Sequence, residues 1–205
     1  MGPSATSAPR PLVLVLHGNY DRPEWECKLW SDIIAEAGWV LCPRGVRRSG
    51  TTLEEDRWTY PPRTAARKEM EAAIAVLRGH YPGGISEGVA LLVGMSLGST
   101  HGAALAVADP AHWSHLVLVE GGTSIWTDAT AKQYASGGGR LVVFACGQPS
   151  CAKEAGAAAA ALRRAGVETE VVVDLTAGHN YSDQIVEALK QRFRALGLSG
   201  QPGHE

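Results

Sequence analysis

Leu91-Leu92-Val93-Gly94-Met95-Ser96-Leu97-Gly98 sets a strand-length apolar run directly against a serine flanked by two glycines. The run from Val89 to Val93 reads as a buried strand, and the Ala-rich stretch after Gly98, to Asp109, reads as a helix. Between them, Gly94-Met95-Ser96-Leu97-Gly98 matches G-x-S-x-G. The glycines have a mechanical reason. A sharp strand-to-helix turn forces the serine into strained backbone geometry, where side chains two residues to either side would clash. The helix behind Ser96 adds free N–H groups and a positive dipole end. The pentapeptide arises by chance in many chains, and a Gly-flanked helix start capped by serine is the plain alternative. The strand before it and the helix after it favour a nucleophile elbow.

The same alternation continues on both sides. Pro11 to His17 (PLVLVLH) reads as a buried parallel strand, and Glu24 to Ala37 has helical spacing through Trp25, Leu29, Ile33 and Ile34. Trp39 to Cys42 is a short strand, Arg44 to Pro62 a polar, turn-rich span, and Thr64 to His80 a helix. After the elbow come a strand over Leu116 to Glu120 and another over Leu141 to Cys146, then an Ala-rich helix ending at Gly166. The last strand is Glu170 to Leu175, and Ser182 to Leu196 is a closing amphipathic helix. Strands that alternate with helices predict an α/β fold, an open, mostly parallel sheet of about six strands with helices on both faces. Residues 1–10 read as a disordered lead, 11–196 as one domain and 197–205 as a flexible tail.

Composition narrows the function. The chain has 205 residues, 45% apolar and 20% charged, which suits one packed domain. A net charge of −2 disfavours a nucleic-acid binder or a polybasic membrane anchor. No apolar run approaches the roughly 18 residues of a membrane span, so no integral membrane contact is expected. No C-x-x-C occurs, and no His shares a metal-ligand spacing with a Cys. Zinc is therefore disfavoured, and the chemistry of a nucleophilic serine implies no metal or organic cofactor.

Four cysteines allow three connectivities. Cys27 and Cys42 flank one helix–strand junction and Cys146 and Cys151 another, so the expected pairs are Cys27–Cys42 and Cys146–Cys151. Four reduced, half-buried thiols are the alternative. Disulfides would favour a secreted or periplasmic setting over a cytoplasmic one. Met1 to Pro11 (MGPSATSAPRP) lacks the apolar region of a signal peptide.

With the elbow in place, the chain resembles the α/β-hydrolase superfamily, in its small, lidless esterase and lipase branch. The first strand ends in His17-Gly18-Asn19-Tyr20, similar to that superfamily's oxyanion loop; a later strand ends in Glu120; the last leads to Gly178-His179-Asn180-Tyr181. Serine, acid and histidine then follow the family's order. The resemblance implies a serine hydrolase of carboxylic esters with Ser96 as nucleophile and His179 as base. The Leu97 N–H is expected in the oxyanion hole, with a second N–H from Asn19, or from Tyr20 as runner-up. The acid departs from the commonest pattern. The loop Gly147-Gln148-Pro149-Ser150-Cys151 carries none, so Glu120 is the expected acid. Glu154, Asp174 and Asp128 are the alternatives, beside a Ser–His dyad assisted by water. His17 is expected to shape the loop beside the oxyanion hole.

Only about twenty residues separate Glu120 from Leu141, where this superfamily inserts cap domains, so an open site is expected. Tyr20, Trp58 and Trp126 would line its opening, although Trp58 and Trp126 could equally pin loops to the body. Partial similarity to cutinases and polyester hydrolases extends the expectation to bulky or polymeric esters. The competing readings are an inactive apolar-ligand-binding module of the same fold, and an acyltransferase or thioesterase. The expected partner is an ester substrate, and the chain is read as a monomer.

Overall fold

The computed structural model describes residues 8–34, 37–87 and 91–195. The residues outside those ranges include most of the expected lead and all of the expected tail. Six parallel strands form one sheet. In chain order these are β1 (Leu12–Leu16), β2 (Trp39–Leu41), β5 (Leu91–Met95), β6 (His115–Val119), β7 (Leu141–Cys146) and β8 (Glu168–Val173), and across the sheet they run β2-β1-β5-β6-β7-β8. Two further strands, β3 (Val46–Arg47) and β4 (Trp58–Thr59), pair antiparallel in the span expected to be only turns. Two-residue strands carry no readable periodicity. The backbone of Trp58 also exchanges two hydrogen bonds with Asp21, which ties this hairpin to the loop after β1. Backbone pairing begins at Arg10, which bridges to Ile85.

The inner strands β1, β5, β6 and β7 are almost wholly apolar because both faces of the sheet are covered there, whereas the edge strand β8 (ETEVVV) is largely half-buried. The side-chain period of two sorts them. Leu14, Leu16, Leu92, Leu116, Leu118, Val142 and Phe144 join one core, and Val13, Val15, Val93, Val117, Val119 and Val143 join the other. The first core is closed by α2 (Arg63–His80), α3 (Leu97–Ala108), α4 (Asp128–Ser136) and α5 (Pro149–Arg164). The second is closed by α1 (Pro23–Ile34) and α6 (Asp183–Ala195), through Trp30, Ile33 and Ile34 and through Ile185, Leu189 and Phe193. Alanines 155, 158, 159 and 161 bring α5 close to the sheet. Between β6 and β7 lies only α4, whose start is capped by Thr127 and Thr130. Among the described residues no cap domain covers the C-terminal edge of the sheet.

Both disulfides are present. Cys27–Cys42 joins α1 to the end of β2, and Cys146–Cys151 joins the end of β7 to the first turn of α5. Among the described residues no helix is long and apolar enough to cross a membrane.

Candidate active site

Ser96 sits between β5 and α3 with φ 51° and ψ −110°, a backbone conformation that L-residues rarely adopt. The glycines around it are obligatory by contact. A Cβ on Gly94 would lie 2.4 Å from the Ser99 nitrogen, and one on Gly98 would lie 2.1 Å from the Leu16 carbonyl oxygen. The turn is then pinned from below. The Ser96 N–H donates to the Val119 carbonyl at 2.8 Å, and the Ser99 hydroxyl lies 2.6 Å from the Gly94 carbonyl and 2.8 Å from that of Val119. Ser99 looks like an ordinary helix residue in the sequence, and only its pairing with two strand carbonyls marks it.

Glu120 directly follows β6 with φ 52°, and its side chain is 1% exposed. Buried carboxylates require partners. One oxygen, Oε1, accepts the backbone N–H of Gly147 and, at 3.1 Å, that of Gln148, the residue that caps α5. The positive end of the α5 dipole therefore faces the charge. The other oxygen, Oε2, meets His179 Nδ1 at 3.1 Å. The alternative acids are engaged elsewhere. Glu154 accepts from the Thr123 hydroxyl, Asp174 from Thr176 and Ser182, and Asp128 pairs with Arg164.

His179 rides on the loop between β8 and α6, its side chain half exposed. Ser96 and His179 line one cleft of about 300 Å³ at the C-terminal edge of the sheet, without a hydrogen bond between them. Such contacts in unliganded sites often tighten only when substrate binds. The Leu97 N–H opens α3, where no intrahelical acceptor exists. Asn19 and Tyr20 also line the cleft. The Asn19 side chain is fixed by Arg48 and Thr59, and Tyr20 has φ 62°. The fully buried His17 ring reaches the carbonyls of Gly18 and Arg44 and packs on Tyr60, which anchors the loop from within.

The rim differs from the sequence reading. Trp126 is 5% exposed and packs edge-on against Tyr134 beneath α4, away from the cleft. Trp58 lies under Arg44 and Arg47 and holds the Asp21 backbone, so it pins a loop instead of lining the opening. Both corrections have one cause. Each tryptophan stands near the C-terminal side of the sheet, but neighbouring residues cover its ring. Trp25 reverses the error. Expected on the apolar face of α1, it is 53% exposed at the rim, with Arg57 over its ring. Tyr20, at 46% exposed, stands beside it under the same arginine.

Two further cleft residues carried no sequence signal of function. Asp21 accepts the Gly18 N–H at 3.2 Å and the Arg22 N–H at 2.7 Å. Glu26, on α1, is 7% exposed, and burial pushes its carboxyl up to about 8. A charged residue on an amphipathic helix ordinarily reads as solvent-facing.

No protein-family model matches the sequence, and no curated protein matches it. Solved structures do. Esterase PE8 superposes with a TM-score of 0.66 at 15% identity, over 94% of this chain and 95% of that one. A Bacillus cereus carboxylesterase gives 0.63 at 18% identity, over 95% and 91%. Arabidopsis thaliana SOBER1 gives 0.62 at 15%, over 91% and 98%. Likeness at such identities speaks to architecture: the chain has the α/β-hydrolase fold in its small, lidless form.

Proposed function

We propose that the protein is a serine hydrolase of carboxylic esters. The observation that carries this reading is the placement of Ser96, on its strained elbow, in one cleft with a histidine whose ring is held by a buried carboxylate. Ser96 Oγ attacks the ester carbonyl carbon while His179 Nε2 takes the hydroxyl proton. Glu120 fixes the tautomer that leaves Nε2 free and stabilises the imidazolium that forms. The N–H groups of Leu97 and Asn19 receive the negative charge that develops on the carbonyl oxygen. His179 returns its proton to the departing alcohol, leaving an acyl-serine. Water attacks that acyl group by the same route, its proton passing through His179 back to Ser96, and the acid is released.

The uncovered cleft, with Tyr20 and Trp25 on its rim, suits bulky or extended esters better than an enclosed small metabolite. The two disulfides support a secreted or periplasmic setting. A fluorophosphonate probe and p-nitrophenyl esters from acetate to octanoate test the reading. Wild type should be labelled and should turn over, and Ser96→Ala should do neither. Ester hydrolysis that survives in Ser96→Ala would overturn the nucleophile. A wild type that is neither labelled nor active would point to a binding module of this fold.

A further inference from the structure

Glu26 has an unusual set of neighbours for a buried carboxyl. Its Oε2 accepts the Tyr181 hydroxyl at 3.0 Å, and that hydroxyl accepts Trp30 Nε1 at 3.2 Å. This is the only hydrogen bond the carboxyl makes among the described residues, and none of them forms an ion pair with it. Its other oxygen is not sealed in the protein, and Glu26 lines the cleft with Ser96 and His179. The groups that face it are Asp21 from the loop after β1, Tyr60 from the segment before α2 and Tyr181 from the loop before α6, and His179 lines the same cleft. Asp21 is acidic, and none of the described residues lining the cleft is Lys or Arg.

We propose that Glu26 serves the cleft as an uncharged carboxylic acid, donating a hydrogen bond to an acceptor oxygen of the bound ester, and that its ionisation switches the site off. The inference rests on the ester-hydrolase reading above. A buried carboxyl without a cation holds its proton, because burial disfavours the charged form. That proton belongs on the oxygen Tyr181 leaves free, the one open to the cleft. Loss of the proton removes the donor and sets a second negative charge beside Asp21. That charge opposes the one developing on the ester carbonyl oxygen during attack. The carboxyl's displacement to about 8 puts the transition inside the working range of a histidine base. The ester recognised in this way carries an uncharged oxygen acceptor near its scissile bond and no anionic group there.

The test combines kinetics with a direct titration of the carboxyl. For p-nitrophenyl butyrate, kcat/KM of wild type should fall about tenfold from pH 7 to pH 9, since one unit above its midpoint about one acid in eleven keeps its proton. Glu26→Gln, which keeps a donor and cannot ionise, should lose that fall. Glu26→Leu should be slow at every pH. In protein labelled with carbon-13 at the glutamate carboxyls, the signal missing from Glu26→Gln should titrate near pH 8. Tyr181→Phe, which removes the one group favouring the anion, should move that midpoint upward. A Glu26 signal with its midpoint below pH 6, or an alkaline fall that persists in Glu26→Gln, overturns the inference while the esterase stands. A wild type that hydrolyses no ester overturns both.

Discussion

Glu120 Oε2 lies 3.1 Å from His179 Nδ1, and the Glu120 side chain is 1% exposed while that of His179 is half exposed. The acid is thus a fixed post and the histidine a movable arm. Two backbone N–H groups at the start of α5 hold the carboxylate, so its position does not depend on the histidine. Glu120→Gln should leave the fold intact by circular dichroism. It should lower kcat by about 10⁴-fold, the loss for a triad whose histidine has lost its tautomer-fixing acid. Equal activity in the variant would place the acid elsewhere.

Gly147 joins the two parts of that arrangement. Its N–H donates to Glu120, and a Cβ on it would stand 2.1 Å from the Gly178 carbonyl oxygen, next to His179. Backbone cannot yield as a flexible side chain does. Gly147→Ala should therefore push the histidine loop outward and cut kcat/KM by at least tenfold. It should also cost more than the roughly 1 kcal/mol of a typical substitution, seen as a lower urea midpoint. Gly156→Ala, at a helix position with nothing within 4 Å, is the control and should stabilise slightly. A Gly147→Ala enzyme with wild-type kinetics would show that the loop has slack.

The sheet and the elbow were legible because burial on both faces writes long apolar runs, and because a strained turn demands glycines at fixed offsets. Gly94 and Gly98 are two such positions. Glu120 was legible for a related reason, as a charge closing an apolar strand. The rim was not. Whether Trp25 lies at the rim depends on its pairing with Arg57, far on in the sequence, and whether Trp126 is buried depends on how the adjacent α4 folds back over it. Glu26 was hidden in the same way. Its partner Tyr181 is 155 residues distant, and a lone glutamate between Trp25 and Cys27 carries no periodic signal.

Each disulfide closes a loop of known length. Cys27 and Cys42 are 15 residues apart and Cys146 and Cys151 are 5 apart. Chain-entropy arithmetic gives about 3 kcal/mol for the longer loop and about 2 kcal/mol for the shorter. Cys27→Ala/Cys42→Ala should thus lower stability more than Cys146→Ala/Cys151→Ala in urea titrations. Activity should respond in the opposite order, because Cys151 sits on the first turn of α5, beside the N–H groups that hold Glu120. Intact mass should rise by about four hydrogens on full reduction. No rise would mean free thiols.

Glu26 makes stability depend on pH with a definite sign. Burial raises its carboxyl from an ordinary 4.5 in the unfolded chain to about 8 in the fold, with the Tyr181 hydroxyl working the other way. A group whose folded value is raised contributes its stability in full below the unfolded value and loses it as pH climbs through the folded one. Between about pH 4.5 and pH 8 the unfolded chain releases this proton and the folded chain keeps it. Stability therefore falls with rising pH across that window, by a few kcal/mol as an order of magnitude, and levels off above it. Glu26→Gln cannot titrate and should lack this component. Its urea midpoint should differ little from wild type at pH 5 and exceed it clearly at pH 9. Parallel pH profiles for the two proteins would mean that the buried carboxyl ionises as it does in water, with a solvating partner that reaches it through the cleft.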